Sequence, residues 1–201
     1  MMMKIANLCM SIVGVTLFAA TATAAAPQPA HAVKDPESRF TIVVPVDWKV
    51  QTSTSSRAPA VSAKSPAASG QLPDSVDVIT QDLPTAITPQ GCAGAAAQVM
   101  RFTIHHWTTL SEGSATLAGL PAYSRLYTWR TSTGQDRRSV QTCVTLGRRA
   151  FVVVGTTANT QSTVRQGLPK VEQIMATFRP NTANLPATAP GTSRPQESDN
   201  K

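Results

Sequence analysis

Hydrophobic and polar residues alternate strictly over 38–50. Phe40, Ile42, Val44, Val46, Trp48 and Val50 fall on one side, and Arg39, Thr41, Asp47 and Lys49 on the other. A period of two marks a strand with one buried face. The pattern therefore predicts a strand, with Pro45 placing part of it at a sheet edge or bend because proline donates no hydrogen bond. Residues 51–75 are rich in Ser, Ala and Pro and nearly free of large apolar side chains. Such a stretch buries too little surface to offset the entropy of ordering, which predicts a long flexible loop. A second, weaker alternation over 75–82 (SVDVITQD) predicts another strand, followed by a turn with Pro84 and Pro89.

The period then changes. Ala97, Met100, Ile104 and Trp107 recur at helical spacing and predict a helix over 92–110, ended by Gly113. Residues 114–130 read as strand, kinked or bulged at Gly119-Leu120-Pro121. Residues 138–146 and 150–157 (AFVVVGTT) read as two more strands joined by a tight turn at Gly147-Arg148, which completes an antiparallel meander. Val164, Leu168, Val171, Met175 and Phe178 form an amphipathic helical stripe. Pro169 would damage a helix interior, so a short turn is predicted to end near Gly167 and the main helix to start at about Pro169. Pro180 stops it, and 181–201, rich in Pro, Thr, Ala and Asn, reads as a disordered tail. Each helix offers one apolar stripe and the sheet needs cover, so the expected class is α+β, an antiparallel sheet packed against helices.

The first 32 residues have another character. Met1-Met2-Met3-Lys4 is a basic start, 5–20 is apolar and uncharged, and Pro27, Pro29 and the small residues of Ala30-His31-Ala32 follow. This is the form of a secretory signal peptide. It predicts export to the periplasm or the exterior, with cleavage after Ala32 or upstream in 22–26, and a folded domain over 33–180. The apolar run is too short and too rich in Ala and Thr for a membrane span. Removing the leader removes Cys9 and leaves Cys92 and Cys143. In an oxidising compartment such a pair predicts one disulfide, worth about 4 kcal/mol in the chain-entropy picture; the alternative is two buried thiols. Neither cysteine sits in a C-x-x-C pair, which argues against thiol-redox catalysis.

Phe40-x-Ile42-x-Val44-Pro45-x-x-Trp48 near the start of the domain, Ala118-Gly119-Leu120-Pro121-Ala122 before the meander, Arg149-Ala150-Phe151-Val152 in a hairpin strand and Ala176-Thr177-Phe178-Arg179 closing the last helix occur in that order. In these landmarks the chain resembles the PsbP-like superfamily, over most of 38–180. The resemblance implies an α/β/α sandwich around an antiparallel sheet and, usually, no enzymatic activity. That superfamily includes an extrinsic subunit of photosystem II, a Ran-binding transport factor and bacterial secreted proteins.

Charge and chemistry refine the expectation. The chain carries a net charge of +7. Ten cations in 98–180 (among them Arg101, Arg165, Lys170 and Arg179) face only Glu112, Asp136 and Glu172. Such a surface attracts an anionic partner or envelope component, or is simply the solvated surface of a basic protein; no nucleic-acid partner is expected. Tyr123, Arg125, Tyr127 and Trp129 share one strand face. They form either a platform for a sugar, peptide or lipid head group or a core face with Arg125 at its rim. Arg137-Arg138 and Arg148-Arg149 flank turns of the meander, and either pair can grip phosphate or carboxylate or keep its turn soluble. His105-His106 beside Trp107 is a candidate metal ligand, or a base near Ser111 or Glu112. On a helix, however, neighbours diverge by about 100°, and no H-E-x-x-H pattern is present. No nucleophile-elbow, Walker, Rossmann or zinc-ligand motif occurs, and no cofactor is expected. The leading expectation is a non-enzymatic, extracytoplasmic binding or accessory module. The alternatives are a small hydrolase built on His105 or His106 and a structural component of the envelope or of a secretion system.

Overall fold

The computed structural model describes residues 29–67 and 69–186. The expectations for a leader over 1–28 and a tail over 187–201 lie outside these residues. Ten strands form two antiparallel sheets. β1 (Ala30–Lys34), β2 (Phe40–Pro45) and β10 (Arg179–Pro180) make a three-stranded sheet in the order β1-β2-β10. The larger sheet has seven strands in the order β3-β4-β5-β9-β8-β7-β6: β3 (Lys49–Thr52), β4 (Val61–Lys64), β5 (Ser75–Asp82), β6 (His105–Leu117), β7 (Leu120–Arg130), β8 (Asp136–Leu146) and β9 (Arg149–Ala158). Helix α1 (Pro89–Thr103) packs on β7 and β8, and α2 (Gln161–Ala176) on β9. The result is the expected α+β layering of antiparallel sheets and helices.

The apolar side expected over 38–50 is buried at Phe40, Ile42, Val44 and Trp48, with Val50 packed against the same core, but the segment is two strands rather than one. The chain turns after Pro45, where the Trp48 N–H donates to the Pro45 carbonyl at 3.1 Å, and then enters the other sheet as β3. Val46, expected on the apolar face, is 57% exposed at that turn. The predicted flexible loop 51–75 is also corrected. Its start completes β3, and Val61 and Ala63 are buried in β4, which pairs with both β3 and β5. Two apolar residues per strand sufficed because neighbouring strands satisfy the backbone. Ala30, His31 and Ala32, placed by the sequence at the end of the leader, belong to β1 and pair with Pro45, Val44 and Val43.

One face of the seven-stranded sheet is apolar. Val61, Val76, Val78, Val140, Val144, Phe151 and Val153 meet α2 and β2 in one core. Phe178, just beyond α2, lies 5.5 Å from Phe40 and 5.3 Å from Phe151 between ring centroids. The apolar side of β2 is therefore roofed as the stripe ending at Phe178 predicts. Thr160 caps α2 reciprocally with Thr163. The helix runs unbroken through Pro169, against the expected restart there. Packing along β9 holds both halves in line: Gly167 sits directly on Thr157, and Val171 and Met175 on Gly155. A Cβ at Gly155 would lie 2.7 Å from Met175 Sδ and 2.9 Å from Val171 Cγ2.

Helix α1 is shorter than predicted. Thr88 accepts from the Gly91 N–H at 3.1 Å with Pro89 in the first turn, but the helix ends at Thr103 and 105–110 belong to β6. The expected kink near Gly119 is a hairpin reversal. Ala118 and Gly119 both have positive φ (55° and 76°), and Leu117 pairs with Leu120. That geometry matches the twist of the flanking strands.

Candidate functional site

The opposite face of the seven-stranded sheet is mixed, with Tyr123, Cys143, Ala150 and Val152 packed against α1 and polar residues gathered on the other half. Side chains alternate along each strand, so the partners of the apolar core residues point here. In register across the sheet stand Ser139 (β8), Thr156 (β9), Ser75 (β5) and Lys64 (β4), with Asp77 opposite Ser62 one step along. Helix α1 covers only one half of this face, and its contacts are small: Cys92, Ala93 and Ala97 are its buried residues. The uncovered half is a cleft of about 840 Å³ lined by Ser62, Lys64, Ser75, Asp77, Trp129, Arg137 and Thr156, with Gln51 to Ser53 and Leu72-Pro73 at its sides.

The cleft is held by hydrogen bonds. The Trp129 indole Nε1 donates to Ser139 Oγ at 2.9 Å, and Ser139 Oγ lies 2.9 Å from Thr156 Oγ1. Ser75 Oγ donates to Asp77 Oδ2 at 3.2 Å, and Ser62 stands opposite Asp77 in the register of β4 and β5. Burial raises the Asp77 pKa, and the neighbouring hydroxyls of Ser62 and Ser75 and the charge of Lys64 only partly oppose it. Arg137 is 4% exposed. Its guanidinium donates to the carbonyls of Leu72 (3.3 Å) and Pro73 (2.6 Å), which pins that wall to the sheet. Burial pulls its pKa down against the charge of Asp74.

The aromatic platform is divided. Tyr127 is 2% exposed, stacked on Trp107 with centroids 3.9 Å apart, and its hydroxyl donates to Met100 Sδ at 3.5 Å. Burial pushes its pKa up to about 12. Arg125 is buried beneath α1, paired with Glu112 and donating to the Ala93 carbonyl at 3.0 Å. Tyr123 packs with Cys92, Ala93 and Cys143. These three serve the interior, and only Trp129 reaches the cleft.

The paired arginines do not gather. Arg137-Arg138 and Arg148-Arg149 stand at opposite ends of β8, a strand of 11 residues. Arg149 is buried, bonded to both Asp82 oxygens (2.7 and 3.0 Å) and to the Asn184 carbonyl. Arg138 and Arg148 are half-buried, and the Nε of each has no partner among the described residues. Arg130 pairs with Asp136. Much of the basic surface expected from the sequence is therefore occupied in structural contacts.

The histidines are placed differently from expectation. His105 and His106 are exposed on β6, with His106 at φ 52°, and neither lines the cleft. No group of three metal-ligating side chains occurs among the described residues. The predicted disulfide is also corrected. Cys92 and Cys143 are buried as free thiols, neighbours in one small cluster between α1 and β8. Hydrogen bonding with Cys143 lowers the Cys92 pKa against its burial, while the same bond and burial raise that of Cys143. No helix among the described residues is long and apolar enough to cross a membrane.

Asp77, Ser75, Ser62 and Lys64 were not singled out in the sequence. The alternation of SVDVITQD does put Ser75 and Asp77 opposite Val76 and Val78, a polar face that could have been followed. Ser62 and Lys64 lay in the segment taken for loop.

No family model matches this sequence, and no curated protein matches it. Solved structures do. The cyanobacterial PsbP of Synechocystis superposes with a TM-score of 0.58 at 10% identity, covering 78% of this chain and 95% of that one. LpqN of Mycobacterium tuberculosis, involved in cell envelope biogenesis, gives 0.53 at 18% identity over 75% of this chain and 91% of its own. The Ran-binding protein Mog1p of Saccharomyces cerevisiae gives 0.51 at 14% identity, covering 76% and 96%.

Proposed function

We propose that this chain, which has the PsbP-like fold, is an exported, non-enzymatic binding or accessory module of the cell envelope, and that the polar cleft is where it binds. One observation carries the reading. A sheet face keeps the Asp77 carboxylate, the hydroxyls of Ser62, Ser75 and Thr156 and the Trp129 indole beside a space of about 840 Å³ that none of the described residues fills. Folding does not require that arrangement, since burying polar groups costs stability unless they are paired. The structural neighbours support a binding role by analogy: one is described as Ran-binding and one as involved in envelope biogenesis. Fold analogy alone does not set function, and the cleft supplies the site. The hydrolase alternative was built on His105 or His106, and neither lines the cleft.

Export follows from the form of the first residues. The Val46 N–H donates to the Pro29 carbonyl at 3.1 Å, and β1 starts at Ala30. A cut in 22–26 therefore leaves the sheet whole, whereas a cut after Ala32 would strip most of β1. The N-terminus of the exported protein, read by intact mass, is expected at or before Pro29.

A photo-crosslinking amino acid placed at Ser62 in the cleft is expected to trap an envelope component in intact cells, and one placed at Thr116 on the exposed edge strand is not. Adducts from Thr116 with none from Ser62 would remove the cleft from consideration.

A further inference from the structure

We infer that the cleft recognises a neutral, hydroxyl-rich ligand, a short oligosaccharide, with one ring on the Trp129 indole and its hydroxyls bonded along the polar rungs of the sheet. The inference rests on the cleft being a binding site and adds the class of ligand.

Three features select this class. The first is what the cleft offers. Ser62, Ser75 and Thr156 line it and can each donate and accept, and Asp77 keeps acceptor capacity beyond its bond from Ser75. Groups that both give and receive hydrogen bonds match sugar hydroxyls. An apolar ligand would leave them without a partner for the capacity that water satisfies. The second is charge. Arg137 is buried, and two of its five N–H donors are held by the carbonyls of Leu72 and Pro73, which ties its head to the wall. That leaves Lys64 opposed by Asp77, and a carboxylate at the floor disfavours phosphate or another carboxylate. The third is the indole. Its N–H is tied to Ser139, which fixes the ring plane beside the polar rungs. An aromatic ring is apolar on its face and can accept the C–H side of a sugar ring while the neighbouring polar groups take its hydroxyls. From Trp129 on β7 to Lys64 on β4 the lining crosses four strand spacings, about 19 Å, the length of a short oligosaccharide rather than of a single ring.

The test is a nuclear magnetic resonance titration of the exported protein with cellohexaose, maltohexaose and chitohexaose, and with inorganic phosphate and dextran sulfate as anionic probes. Each probe is taken to about 10 mM, enough to populate a complex with a Kd near 1 mM. At least one hexasaccharide is expected to shift the Trp129 indole N–H and the backbone amides of Ser62, Asp77 and Thr156. Trp129→Ala is expected to weaken that binding at least about tenfold and Asp77→Asn at least about fivefold, while Trp129→Phe keeps most of it. Unchanged amide dispersion elsewhere shows that each variant is folded. Cleft shifts from phosphate or dextran sulfate with none from the hexasaccharides would overturn the sugar assignment and keep the cleft as a binding site. Silence from all five probes would overturn the sugar assignment and count against the cleft itself. Hexasaccharide binding that survives Trp129→Ala unchanged would also overturn it.

Discussion

At the scale of single residues, two aspartates respond to pH in opposite directions. Asp35 is buried, and burial alone would raise its pKa. The Arg39 side chain, however, reaches both its oxygens at 2.8 and 2.9 Å, the Arg39 N–H adds a bond at 3.0 Å, and together they hold the carboxyl below its usual range. A lowered native pKa gives stability that is present above the unfolded value of about 3.9 and lost as pH falls through the native one. Asp35→Asn should cost about 1–3 kcal/mol at neutral pH, read from urea midpoints, and the cost should shrink in acid as the native Asp35 protonates. Asp77 runs the other way. Its native pKa is raised, chiefly by burial. Its contribution is therefore complete below about pH 3.9 and is lost as pH rises through the native pKa. Asp77→Asn should make the protein more stable at neutral pH than the parent and leave it unchanged in strong acid. A residue that costs stability where the protein works is what a binding site retains.

At the scale of elements, α2 and β9 fit through missing side chains. Gly155→Ala places a methyl against Val171 and Met175 and should cost about 1–3 kcal/mol by overpacking. Phe178→Ala, which empties the centre of a three-ring cluster, should cost about 3–5 kcal/mol. Phe102, on α1 but 91% exposed, is the contrast, and Phe102→Ala should stay within about 0.5 kcal/mol. Urea unfolding of the three variants checks the ranking. The elements that were legible in the sequence are those with long patterns: β2, the meander β7-β8-β9 and the stripe of α2. Those that were not have physical reasons. β6 carries register shifts between His105 and Thr108 and between Thr109 and Ser111, which break the two-residue period. Ile104 and Trp107 then fell by coincidence on the helical spacing of Ala97 and Met100. β4 is four residues long, too short to show a period, and is held by neighbours on both sides. Pro169 was read by a local rule that packing on β9 overrides. The cleft was legible only in part, because a polar sheet face looks like any solvent-facing one until its walls are known.

At the scale of the whole molecule, net charge proves a poor guide to the site. Arg39, Arg125, Arg130 and Arg149 are in ion pairs, and Arg137 and Arg179 bond carbonyls. Capture of a ligand in the cleft should accordingly change less than about threefold between low and physiological salt, since exposed charges are the ones that salt screens. The sheet as a whole divides its duties: its Val-rich side makes the core with α2, and its hydroxyl-rich side is only half covered because α1 stops at Thr103.

The bonds from Arg137 to Leu72 and Pro73 have one more consequence. They hold the far bank of the cleft in place with no guest present, so little backbone entropy remains to be lost when one arrives. Encounter should then proceed in a single kinetic phase limited by diffusion and water release rather than by loop closure. Arg137→Ala, which frees that bank, should add a slow second phase in stopped-flow mixing.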